Sequence, residues 1–128
     1  MRVINPSSLA APKGYNHGVV LEGKILFVAG QVGWNEQSEL AQGFTAQFER
    51  ALRNVIEVLK SANGEPKHIG RLTLYVTSKR EYLDSRKELG RIYRSIMGSH
   101  YPAMTLIEVK DLLEEGALVE IEATAVLP

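Results

Sequence analysis

The chain has 128 residues, fifteen basic and fifteen acidic side chains, and no cysteine, enough for one domain that buries about two thirds of its unfolded surface and too little for two. Balanced charge leaves no global field to gather nucleic acid, and the absence of cysteine excludes disulfides, thiolate nucleophiles and Cys-ligated metals. Met1-Arg-Val-Ile-Asn-Pro6 holds no apolar run of signal-peptide or membrane-span length, so the expectation is a cytoplasmic protein with neither membrane nor nucleic acid as partner.

In chain order, Val3-Ile4 is a short apolar start, and Asn5 to Gly14 carries the Pro, Ser and Gly punctuation of a loop. His17 to Glu22, a tight turn at Gly23-Lys24, and Ile25-Leu-Phe-Val-Ala29 read as a hairpin. Its second arm is continuously apolar, the pattern of a central strand covered on both faces. Gly30 to Gly43 is a polar loop containing Gly33 and Trp34. From Phe44 the period changes: Phe44, Phe48, Leu52, Val55 and Leu59 recur at helical spacing, with Glu49, Arg53, Glu57 and Lys60 on the outer face. Asn63-Gly64 supplies a left-handed stop.

Pro66 to Gly70 leads to Arg71-Leu-Thr-Leu-Tyr-Val-Thr77, where Leu72, Leu74 and Val76 alternate with polar or amphipathic partners. Ser78-Lys-Arg-Glu81 is a capping-box pattern that opens a second helix, with Tyr82, Leu89, Tyr93 and Ile96 along one side and Gly98 at its end. Met104 to Val109 follows a proline and is rich in β-preferring types; Ala117 to Val126 alternates, with Val119, Ile121, Ala123 and Ala125 on one side and Glu120, Glu122 and Thr124 on the other. These last two runs, separated by a polar connector, are expected to pair antiparallel. The expected order is β-β-β-α-β-α-β-β: a single α+β domain over residues 1–128, with two helices on one face of a mixed six-stranded sheet. Ile25-Leu-Phe-Val is too apolar for solvent and Glu120-Ile-Glu122 too polar for a dry core, so self-association that leaves clefts near the carboxylates reconciles the two.

Glu120 is the first candidate for chemistry, because a carboxylate on a strand beside apolar residues is placed to exchange protons or hold a water. A strand-surface glutamate paired with a base is the competing reading, and it fits Glu122 better. Tyr15, after Gly14, presents a ring and a hydroxyl to a small ligand or is an ordinary half-buried aromatic with a wet tip. His17 is a proton carrier or a solvated side chain at a strand start. Gly30 permits close backbone approach or simply ends a strand. Trp34 is a lid, a subunit contact or a local anchor. His17, His68 and His100 show no metal-ligand spacing, no glycine cluster completes a phosphate loop, and Ser78 and Ser85 sit in no nucleophile elbow. No cofactor or metal is expected.

Tyr101-Pro-Ala-Met104 before a strand, an acidic connector, and Val119-Glu-Ile-Glu-Ala-Thr-Ala-Val126 resemble the C-terminal signature of the YjgF/YER057c/UK114 (Rid) family. Ala29-Gly30-Gln31 and Gly14-Tyr15 fall where that family has Ser-Gly-Gln and Gly-Pro-Tyr. The resemblance spans about Pro12 to Val126. It implies a chorismate-mutase-like fold, a homotrimer with three intersubunit clefts, and enamine or imine deamination with a water oriented by the residue at Glu120. It further implies that Tyr15 lines the cleft and that the backbone at Gly30 holds a substrate carboxylate. Active imine deaminases of the family carry Arg immediately after the Pro-Ala; this chain has Met104, which offers polarizable apolar surface in place of a carboxylate clamp. His100, Lys110 and Arg71 are the basic residues considered as substitutes. The expectation is therefore a trimer that binds a small molecule and hydrolyses enamines or imines other than the usual 2-imino acids, or a non-catalytic ligand-binding trimer. An endoribonuclease is disfavoured by zero net charge and the absence of a basic stripe.

Overall fold

The computed structural model describes residues 1–128. Six strands and three helices follow in the order β1 (Arg2–Ile4), β2 (Gly18–Val20), β3 (Lys24–Val32), α1 (Phe44–Ser61), β4 (Ile69–Val76), α2 (Lys79–Asp84), α3 (Arg86–Met97), β5 (Ala103–Glu108) and β6 (Val119–Leu127), with a 3-10 turn at Pro66–His68. The α+β class stands. The helical segment after Ser78 is broken at Ser85 into α2 and α3, and the strands divide into a four-stranded sheet, ordered β3-β6-β4-β5, and a two-stranded ribbon of β1 with β2.

That topology corrects three expectations. The stretch on either side of Gly23 is no hairpin: β2 pairs with β1, and β3 pairs antiparallel with β6. Nor do β5 and β6 pair with each other. β5 lies parallel to β4, as two strands joined by a helical crossover can, whereas the ten-residue connector from Val109 to Leu118 carries the chain over β4, so that β6 inserts between β4 and β3. Finally, β3 is an edge strand rather than a central one. Val28 is buried, while Ile25 and Phe27 are 61% and 77% exposed.

Local signals hold where contacts are local. The apolar stripe of α1 (Phe44, Phe48, Leu52, Val55, Leu59) is buried, as are Val119, Ile121, Ala123 and Ala125 of β6. Together with Leu72, Leu74 and Val76 of β4 and Leu89, Ile92 and Tyr93 of α3 they form one core between the helices and one face of the sheet. Asn63 takes the left-handed conformation at φ 61°, and the Gly64 amide closes back on the Leu59 carbonyl. Ser78 Oγ accepts a 3.2 Å hydrogen bond from the Glu81 amide, opening α2.

Tyr93 fastens α3 to the segment before β5. Its ring stacks on Tyr101 at 5.2 Å between centroids, and its hydroxyl donates to the His100 carbonyl at 2.8 Å. Burial, with a smaller contribution from Tyr101, raises the phenol well above the ordinary tyrosine range. The neutral form is thus favoured by folding: its contribution is complete below the unfolded tyrosine value near pH 10 and is lost as pH rises from there toward the folded value. Tyr93→Phe is expected to cost about 0.5–1.5 kcal/mol at neutral pH through the lost hydrogen bond. Its urea midpoint should then fall less steeply than that of the wild type between about pH 9.5 and 11.5; parallel curves would show that Tyr93 is not the group responsible.

Candidate functional site

Four of the residues singled out by sequence gather in two places on opposite sides of the sheet. The first is at the β3–β6 junction. Register along β3 slips between Val28 and Gln31, a bulge at Ala29-Gly30, and beyond it Val32 stands opposite Glu120. The bulge carries Gly30 against the Glu120 side chain so closely that a methyl group at Gly30 would overlap the carboxylate. On its other flank Glu120 faces Tyr75 of β4 in register. Glu120 is half-buried, and its carboxylate takes part in no hydrogen bond or ion pair within the chain; the five ion pairs all lie elsewhere. Glu122, two residues on, differs: it accepts a 2.7 Å hydrogen bond from the Tyr75 hydroxyl. That bond, followed by burial and the charges of Glu122 and Glu120, raises the Tyr75 phenol above its ordinary value. Glu122 is therefore committed to a structural bond, and Glu120 retains free acceptor capacity.

The second place is the free edge of β5. The Asn16 amide donates to the Pro102 carbonyl at 3.0 Å, and the Asn16 side chain donates to the Tyr101 carbonyl, so residues 14–17 lie along the start of β5. This brings Tyr15 beside Met104 in a cavity of about 260 Å³ that also touches Lys13, Tyr82 and Leu106. Met104 registers with Leu72 on the helix-facing side of the sheet. It also contributes to an adjoining cavity of about 230 Å³ between β5 and α3.

Within one chain, then, Tyr15 and Met104 form one cluster and Gly30 and Glu120 another, with β4 between β5 and β6. His17 and Trp34 belong to neither. The His17 ring nitrogen Nε2 is 2.7 Å from the Ala10 carbonyl, its ring meets Tyr15 edge-on at 5.4 Å, and its backbone amide bonds to the Asn5 side chain, so it pins the N-terminal loop. Trp34 bridges Leu40 inside its own loop, and its carbonyl accepts from Asn54 of α1 at 2.9 Å. Of the basic residues considered as substitutes, His100 Nε2 is engaged at 2.7 Å with the Ile69 carbonyl, Arg71 lines a groove on the opposite sheet face with Glu122 and Thr124, and Lys110 lines neither Met104 cavity. The cations that do reach Met104's surroundings are Lys13, in the cavity with Tyr15, and Arg86 and Arg94 of α3, in the adjoining one. The two arginines' only sequence signal was i, i+4, i+8 spacing with Gly90 on the same helix face as Tyr82's apolar neighbours Leu89 and Tyr93. No group of three or more His, Asp or Glu side chains is arranged to hold a metal ion, and no helix is long and apolar enough to cross a membrane.

Comparison with known proteins adds the following. The family described as Endoribonuclease L-PSP matches residues 5–127. A RutC family protein of Aquifex aeolicus is 35% identical over 130 residues, covering 98% of this chain and 99% of the relative. Human 2-iminobutanoate/2-iminopropanoate deaminase is 27% identical, covering 98% of this chain and 89% of the relative. Among solved structures, a protein of unknown function of the conserved Rid family from Yersinia pestis superposes with a TM-score of 0.84 at 38% identity, each chain covered to 98%. RidA from an Antarctic Psychrobacter gives 0.72 at 27% identity over 92% of each chain.

Proposed function

From the premise that this chain belongs to the endoribonuclease L-PSP family, the YjgF/YER057c/UK114 or Rid family, we propose that it forms a homotrimer and hydrolyses an enamine or imine of a small metabolite in clefts between subunits. The observation that carries this reading is the unpartnered Glu120 carboxylate held against Gly30 on one side of the sheet, while Tyr15 and Met104 lie on the other. A site using all four residues needs Gly30 and Glu120 from one subunit and Tyr15 and Met104 from its neighbour. Exposed Phe27 and Ile25 on an edge strand support the association, since large apolar side chains in a row on a sheet edge favour a protein partner over water.

In the cleft, Glu120 accepts a proton from a water as the water oxygen bonds to the imine carbon and delivers it to nitrogen, giving a carbinolamine. Glu120 then takes the carbinolamine hydroxyl proton and passes it to nitrogen as the carbonyl forms and the carbon–nitrogen bond breaks, and ammonia leaves with a carbonyl compound. The ring and hydroxyl of Tyr15 flank the substrate, and the Gly30 backbone binds its carboxylate. Met104 narrows the substrate range, because a thioether offers no fork to a small 2-imino acid.

A light-scattering mass of about three times the 14.2 kDa subunit is expected; a mass of one subunit would sink the shared cleft. Ammonia release from freshly generated 2-iminopropanoate, 2-iminobutanoate and 2-aminomuconate tests the chemistry. Met104→Arg is expected to raise turnover of the two small imino acids at least about tenfold, the effect of one charge-assisted hydrogen bond. A specific observation, Met104 itself, keeps a second reading: a trimer that binds its ligand without turning it over. That reading is the one to adopt if the wild type releases no ammonia from any of the three and Met104→Arg restores release.

A further inference from the structure

We propose that the cavity between β5 and α3 is a binding site for a small organic anion with a flat apolar body, whose carboxylate is held by Arg86 and Arg94. The inference goes beyond the preceding reading: this is an anion subsite on the Met104 side of the sheet, separate from the Gly30 backbone to which that reading gives the substrate's carboxylate, and the two share only Met104.

The cavity, about 230 Å³, has Tyr82, Tyr101, Met104 and Leu74 among its walls, with Arg86 and Arg94 also lining it. Aromatic faces, a thioether and an aliphatic side chain suit a flat, apolar ligand body. The size is below the roughly 300–1,000 Å³ of drug-sized sites, which restricts the ligand to a small metabolite. Arg86 and Arg94 pair with no carboxylate of the chain, whereas Arg91, between them on α3, pairs with Glu88. Arg86 donates through Nε to the Leu83 carbonyl at 3.1 Å, which leaves its two terminal nitrogens uncommitted.

Gly90 lies on α3 between the two arginines. A glycine in a helix interior weakens the helix relative to alanine, and nothing about its backbone requires glycine here, since only Gly14, Gly23, Gly43, Gly98 and Gly116 have positive φ. A Cβ at Gly90 would meet Nη1 at the far end of the flexible Arg94 side chain at 3.3 Å, a contact that a small shift of the guanidinium relieves. With Arg86, Gly90 and Arg94 one turn apart, the glycine leaves a gap on the helix between two cations that both belong to the cavity lining. Two guanidinium groups at an aromatic-walled cavity match a carboxylate whose body lies over Met104.

The test is equilibrium titration of the full chain with 3-phenylpropanoate and with its neutral amide, followed by amide chemical shifts and calorimetry. The wild type is expected to bind the carboxylate at least tenfold more tightly than the amide, with shifts centred on Gly90 and Tyr101. Arg86→Gln and Arg94→Gln should each weaken carboxylate binding about tenfold and leave the amide unaffected. Equal affinity for acid and amide, no shifts at these residues, or wild-type affinity in both arginine variants would overturn the proposal. Every cavity residue comes from one chain, so these outcomes are read without turnover and without reference to subunit number; a failure of the deaminase reading leaves them unchanged.

Discussion

Glu120→Gln is expected to lower imine-hydrolysing turnover by about 10²–10⁴-fold, the range for removing a positioned general base, while leaving the urea midpoint close to that of the wild type. The amide has the shape of the carboxylate it replaces, so the packing against Gly30 survives. What is lost is the ability to take a proton from water. Because Glu120 makes no hydrogen bond or ion pair within the chain, its neutralisation leaves no partner stranded. Glu122→Gln is the control: that residue is bound to the Tyr75 hydroxyl on the same sheet face, so its replacement should affect stability more than turnover. Ammonia release measured on both variants separates the roles, and equal turnover in Glu120→Gln and wild type would remove Glu120 from the mechanism.

The largest loss of stability is expected from Gln47→Leu, at about 2–4 kcal/mol, since each partly buried backbone group left without a partner costs toward the lower end of about 1–3 kcal/mol. Gln47 is 3% exposed and serves three such groups. Its Nε2 donates to the carbonyls of Ala41 and Gly116, both at 3.1 Å, and its Oε1 accepts from the Leu118 amide at 2.8 Å. One side chain on the first turns of α1 thus ties together the loop after β3 and the connector that delivers β6 to its place. Gly33 completes the joint, because a Cβ there would stand 2.5 Å from Gln47 Cα. Glu49→Leu on the exposed face of the same helix should stay within about 0.5 kcal/mol. Urea unfolding of the two variants decides the matter; a Gln47→Leu loss no larger than that of Glu49→Leu would mean that solvent reaches those backbone groups once the amide is gone.

Neither Gln47 nor Arg94 stood out in the sequence. A glutamine in the second turn of an amphipathic helix reads as surface, and only the arrival of two distant loops converts it into a buried junction. The arginines of α3 read likewise as solvated charge until Tyr101 and Met104 close the other side of their cavity. The position of Glu120, by contrast, was legible because the alternation of β6 placed it on the face opposite Val119 and Ile121.

What the sequence determined by itself is whatever depends on neighbours two to four residues apart. The buried stripe of α1, the alternation of β6, the cap at Ser78 and the left-handed Asn63 are all of this kind, because side-chain direction repeats with the local backbone period. Pairing between strands has no such period. Whether β6 lies beside β5 or crosses β4 to meet β3, and whether apolar Ile25 and Phe27 end in a core or on an open edge, depends on which arrangement satisfies backbone groups and buries apolar faces across the whole chain. Tertiary structure alone decided those points, and with them the separation of Glu120 and Gly30 from Tyr15 and Met104 on opposite sides of one sheet.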